Sequence, residues 1–105
     1  VKHYRIVFTP TAKLHALQAA EFISHDSVTY AIRWYEGLLK AINSLQTMPG
    51  RCGLARESEH FPDELRQYIY HSHRVIFRID DASGLVYILH IRHAARQAIG
   101  EDQED

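Results

Sequence analysis

The sequence predicts an α+β domain in which an antiparallel helical hairpin packs on one face of a small, mainly antiparallel sheet, in the order β-α-α-β-β-β. Three observations predict it. A short β-branched and aromatic run stands near the start, two helix-period stretches follow with their own start signals, and three strand-like runs close the chain. The 105 residues fit one domain, placed at residues 1–96. The tail at 97–105 ends in EDQED and reads as acidic, flexible and solubilising.

YRIVF (Tyr4–Phe8) is the first strand. Thr9-Pro10 then starts a helix, with a hydroxyl at the N-cap and proline at the first position, where no N–H is missed. Ala12, Ala16, Ala19, Ala20 and Ile23 recur at helical spacing to about Ser24, and Ser27 is placed to cap the next helix. In that second helix Val28, Ala31, Tyr35, Leu38, Ile42 and Leu45 form an apolar stripe flanked by Trp34, Ala41 and Met48, so it needs a packing partner. Pro49-Gly50 ends it, and residues 50–64 show no period and read as loop. LRQYIYH (65–71), HRVIFRI (73–79) and LVYILHIRH (85–93) read as strands of an antiparallel meander, with turns at Ser72 and DDASG (80–84). AARQAI is a candidate for one further helical turn.

Composition narrows the class. A single cysteine, Cys52, excludes an internal disulfide and favours a reducing compartment. The sequence has no apolar run near the ~20 residues a membrane span needs and no secretory leader pattern at VKHYRIVFTP, so it reads as cytoplasmic. Net charge is −1, but four of the thirteen acids sit in EDQED, leaving nine against twelve Lys and Arg elsewhere. With eight histidines as well, the body suits an acidic or polyanionic partner.

Side chains alternate across a strand, which divides each strand into two faces. Tyr4, Ile6 and Phe8; Leu65 and Ile69; Val75, Phe77 and Ile79; and Leu85, Tyr87, Leu89 and Ile91 form the expected helix-facing set. Arg5, Arg66, Tyr68, Tyr70, Arg74, Arg78, His90 and Arg92 then fall on the reverse. Guanidinium groups hold phosphate bidentately and aromatic rings stack on bases, so this face is a candidate for nucleic-acid contact. The plainer reading is a solvated outer face with cross-strand packing.

WYEGLLKAINSLQTMPGRCGLARE (34–57), LRQYIYHSHRVIFRI (65–79) and VYILHIRHAAR (86–96), taken in order, resemble the RelE/ParE superfamily of type II toxin–antitoxin toxins, often called plasmid stabilisation proteins. The resemblance covers nearly the whole chain except the acidic tail. It implies two helices on a four-stranded sheet and a toxin that causes growth arrest. It also implies neutralisation by a cognate antitoxin, whose segment covers the active surface and should be amphipathic and acidic. RelE-like members are ribosome-dependent mRNA interferases acting without metal, and ParE-like members inhibit DNA gyrase. If the chain is RelE-like, Arg66, Arg74 and Arg92 would clamp the phosphate, and His90 or His93 would exchange a proton. The chain has Ala94-Ala95 after His93, where active nucleases often carry tyrosine, and no lysine in 50–64. Those departures place it closer to the ParE branch as a gyrase inhibitor. The alternatives are the mRNA interferase and a non-toxic basic binding module.

The residues expected to meet target or antitoxin are Arg66, Tyr68, Tyr70, Arg74, Arg78, Arg92, His93, Arg96 and Trp34. Trp34 also fits plain core packing, and His93 a structural role placing Arg92 and Arg96. His71-x-His73 and His90-x-x-His93 have metal-ligand spacing but no accompanying cysteine or carboxylate pair, so neither metal nor cofactor is expected. Cys52 beside Arg51 and Arg56 has a setting that would lower a thiol pKa, but it has no histidine neighbour in sequence. A toxin homodimer and a toxin–antitoxin hetero-oligomer remain open as assemblies.

Overall fold

A computed structural model describes residues 1–95; Arg96, most of AARQAI and the tail lie outside the described residues. The elements are β1 (Arg5–Phe8), α1 (Pro10–Ser24), α2 (Val28–Asn43), β2 (Arg66–Tyr70), β3 (His73–Asp80) and β4 (Leu85–His93). Short 3-10 turns stand at Ser44–Gln46, Pro49–Arg51 and Arg56–His60. The sheet order is β1-β4-β3-β2. The last three strands form the antiparallel meander, and β1 lies parallel to β4.

Both helix starts follow the sequence. Thr9 accepts from the Ala12 N–H at 3.3 Å, and Ser27 from the Tyr30 N–H at 3.1 Å. The α-helical part of α2 stops earlier than its apolar stripe. The Ser44 hydroxyl donates to the Ala41 carbonyl at 2.6 Å, tightening the chain into a 3-10 turn that still buries Leu45. Met48, before Pro49, then sits at φ 48°, a left-handed conformation uncommon for a residue with a side chain. His71 turns β2 into β3 at φ 51°, and Gly84 supplies φ 70° before β4, a value that costs glycine little.

The main core joins Ala12 and Ala16 of α1, Trp34, Leu38 and Ile42 of α2, Leu45, Val75 and Phe77 of β3, and Val86, Ile88 and Ile91 of β4. The expected faces hold for β1 and β3. On β2 they are reversed. Tyr68 and Tyr70 pack toward the helices, Ile69 is 55% exposed, and Leu65 packs with Ala55 and Ile76 in a second cluster on the other side. The cause is the amphipathic tyrosine, which buries its ring while its hydroxyl finds a partner. Tyr70 Oη donates to the Trp34 carbonyl at 2.8 Å. On β4 the expectation is reversed through Leu89, which packs with the second cluster instead of facing the helices. Val86 and Ile88 face the helices, and Tyr87 lies under Arg78 at 4.4 Å. Phe77 pairs with Ile88, but Ile76 pairs with His90, so Leu89 is an extra residue. This bulge shifts the phase and returns Ile91 to the core.

Gly37 lets α2 approach β2. A Cβ at that position would overlap the Tyr70 hydroxyl. Gly37→Ala should therefore destabilise the fold by about 1–3 kcal/mol, although glycine to alanine inside a helix ordinarily gains about 1 kcal/mol. Urea unfolding measures this, and Tyr70→Phe in the same chain should recover part of the loss.

Candidate functional site

The arginine face is not an open surface. Residues 55–65 cross it as a strap. The Ala55 N–H donates to the Leu65 carbonyl at 2.7 Å, and the Leu65 N–H donates to Ser58 Oγ at 3.0 Å. The strap carries Glu57, fully buried, against Arg74, which is 5% exposed. Arg74 Nη2 donates to Glu57 Oε2 at 2.6 Å and Nη1 to Oε1 at 2.9 Å, a fork-to-fork pair. Nη1 also donates to Gln67 Oε1 at 3.0 Å. Glu57 thus neutralises the central arginine of the expected cluster.

The other expected residues divide between locations. Arg66 shares the parity of Tyr68 and Tyr70, opposite to Arg74. Its Nη1 donates to the Cys52 carbonyl at 2.6 Å, and Glu64 lies 3.5 Å from Nη2. Arg78 stands outward over Tyr87, with Asp63 4.0 Å away. Arg5 is exposed. Arg92 pairs with Arg74 across the ladder and is half-buried. The single basic surface that would have gathered Arg66, Tyr68 and Tyr70 with Arg74, Arg78 and Arg92 therefore does not form. The Cys52 thiol is pushed up because burial outweighs Arg51 and Arg66, opposite to the expectation from its basic neighbours.

A different grouping does form, at the end of the sheet. His73 and His93 are ladder partners with ring centroids 5.1 Å apart, and Trp34 meets His73 at 5.0 Å. Trp34 itself is 3% exposed, so it supports this cluster from the core. His15 of α1 stacks on His90 at 5.5 Å. His15, Trp34, His73 and His93, with Arg92, Ile91, His71, Phe22 and Tyr30, line a groove of about 790 Å³ between the helical hairpin and the sheet end. Phe22, 76% exposed, and Tyr30 contribute exposed aromatic surface. Burial, then the neighbouring His15 and Arg92, lower the His90 pKa, with Glu57 opposing them. His90 is thus held toward neutral imidazole. Among the described residues, no group of three or more His, Cys, Asp or Glu is arranged to hold a metal ion, and no helix is long and apolar enough to cross a membrane.

Glu57 and His15 were not singled out from the sequence. Glu57 lies in an aperiodic loop 17 residues from Arg74, so only the tertiary path joins them. One general signal was present, since a strand arginine reaching full burial needs a counter-charge. Removing that counter-charge tests the pair. Glu57→Ala should cost about 3–5 kcal/mol by stranding a buried cation, measured by chemical denaturation. Adding Arg74→Met should restore much of it.

Residues 6–98 match the family described as "ParE toxin of type II toxin-antitoxin system, parDE". A chain of a chromosomal ParDE toxin–antitoxin system from P. aeruginosa is similar in structure, with TM-score 0.69 and 17% identity over 87% of this chain and 96% of that one. A chain of the RelBE2 toxin–antitoxin complex from Mycobacterium tuberculosis is also similar, with TM-score 0.56 and 24% identity over 91% and 97%. The archaeal RelE–RelB complex from Pyrococcus horikoshii OT3 contributes another, with TM-score 0.56 and 16% identity over 90% and 99%. A search of curated proteins found no match.

Proposed function

The chain belongs to the ParE toxin family of type II toxin–antitoxin systems, and on that premise we propose that it arrests growth by inhibiting DNA gyrase and is neutralised by a cognate antitoxin. The observation that carries the choice of target is the engagement of two arginines a nuclease would need. Arg74 is forked onto buried Glu57, and Arg66 is spent on the Cys52 carbonyl. A scissile phosphate would have to displace those partners before either cation could stabilise its developing charge. A binding toxin needs no such rearrangement. The contact surface in this reading is the groove, with Phe22 and Tyr30 as aromatic anchors and Arg92 and His93 as its polar side. Its antitoxin segment is apolar on one face and acidic on the other. Arg96 belongs to the same proposal as a further contact, whereas Arg78, outward over Tyr87 and beside Asp63, does not.

A second reading, ribosome-dependent mRNA cleavage, draws on His90. A neutral imidazole near Arg92 is the pairing of base and cation that metal-free RNA cleavage uses. Two assays, one with purified toxin and one on an induced culture, separate the readings. Supercoiling by gyrase with purified toxin should fall, and transcript ends mapped by primer extension should stay as in uninduced cells. New ends within translated codons, with supercoiling intact, would replace the gyrase reading by the nuclease. Unimpeded growth at high expression would leave a non-toxic binding module. Co-expressed antitoxin should restore growth in either toxic case.

A further inference from the structure

β1 pairs with β4 only from Leu85 to Ile88. The Thr9 N–H and hydroxyl both donate to the Ile88 carbonyl, at 3.2 and 2.6 Å, and the first strand ends there. Beyond this point the β4 edge continues through the Leu89 bulge without a neighbouring strand among the described residues. An edge N–H at a buried residue needs an acceptor. At Ile91, which is 5% exposed, the acceptor is a side chain: His15 Nδ1 receives the Ile91 N–H at 3.3 Å. A histidine of α1 therefore takes over the ladder where β1 stops.

We propose that His15 is a pH-sensitive latch, which holds α1 to the β4 edge while its imidazole is neutral and releases that edge when the ring gains a proton. A ring nitrogen accepts a hydrogen bond only when it carries no proton, so this geometry fixes the tautomer with hydrogen on Nε2. Protonation turns Nδ1 into a donor facing the donor of Ile91. It also places a cation against the stacked His90 ring and toward Arg92. The surrounding groups act together. His90 and Arg92 come from β4, His73 and His93 from the facing strand ends, and Tyr30 from α2. Glu57 acts from the strap on His90. The latch concerns how the helix is held to the sheet, so it stands whether the target is gyrase, mRNA or neither.

The sign follows from where the proton is accepted. The unfolded chain takes a proton on His15 at an ordinary histidine pKa of about 6.5, and the hydrogen bond from the Ile91 N–H exists only while Nδ1 carries none. The latch contribution is therefore present above that value and is lost as pH falls through and below it. The lowered His90 pKa runs in the same direction.

Amide exchange followed by NMR tests the latch. The Ile91 protection factor, corrected for intrinsic exchange, should fall about fivefold or more between pH ~7.5 and ~5, the loss of one net hydrogen bond. His15→Gln offers a carbonyl acceptor that does not titrate, and should keep most of the Ile91 protection across the same range, leaving only the smaller fall that His90 contributes. In the unaltered chain, the Ile91 amide shift should titrate with the same midpoint as the His15 ring. Protection at Ile91 that ignores pH, an equal fall in His15→Gln, or a shift uncoupled from the His15 ring would each overturn the latch.

Discussion

The buried fork between Glu57 and Arg74 decides which parts of this molecule can meet a partner. Charges this deep stay ionised only when paired, so the fork draws the 55–65 strap onto the outer sheet face. Ala55, Leu65 and Ile76 then close beneath it with Leu89 packed alongside. A two-layer domain with a bare basic face becomes one covered on both sides of its central strands. What stays open is the end of the sheet, where β4 runs past β1 and the helical hairpin leaves a groove.

The geometry of that end comes from the single bulge at Leu89. Without it, the phase that buries Val86 and Ile88 would turn Ile91 away from the helices. With it, Ile91 seals the core and His93 meets His73. The groups there complete hydrogen bonds, support Trp34 and line the groove.

The elements were legible because their signals are local. Thr9-Pro10 and Ser27 mark the helix starts, Ala31, Leu38 and Ile42 the buried stripe, and β-branched runs the strands. The faces of β1 and β3 were legible for the same reason, since Arg74 and Arg78 alternate cleanly with Val75, Phe77 and Ile79. The reversed faces had no such contrast. In LVYIL every residue is apolar or aromatic, so either phase fits and a bulge leaves no trace. In RQYIY the choice between Tyr68 with Tyr70 and a lone Ile69 depends on whether a hydroxyl finds an acceptor, and that acceptor is a carbonyl of α2. Glu57 was hidden for a related reason: its role exists only once the loop is laid across β3.

The central claim is that the strapped face is closed and the sheet-end groove is the contact surface. Hydrogen exchange with mass spectrometry on the toxin, alone and bound to its cognate antitoxin, tests this most directly. The account predicts new protection in the peptides spanning Phe22 to Tyr30, His71 to His73 and Ile91 to His93, with 55–67 unchanged. Protection concentrated on 55–67 and the outward positions of β3, with the groove peptides exchanging as in the free toxin, would contradict it.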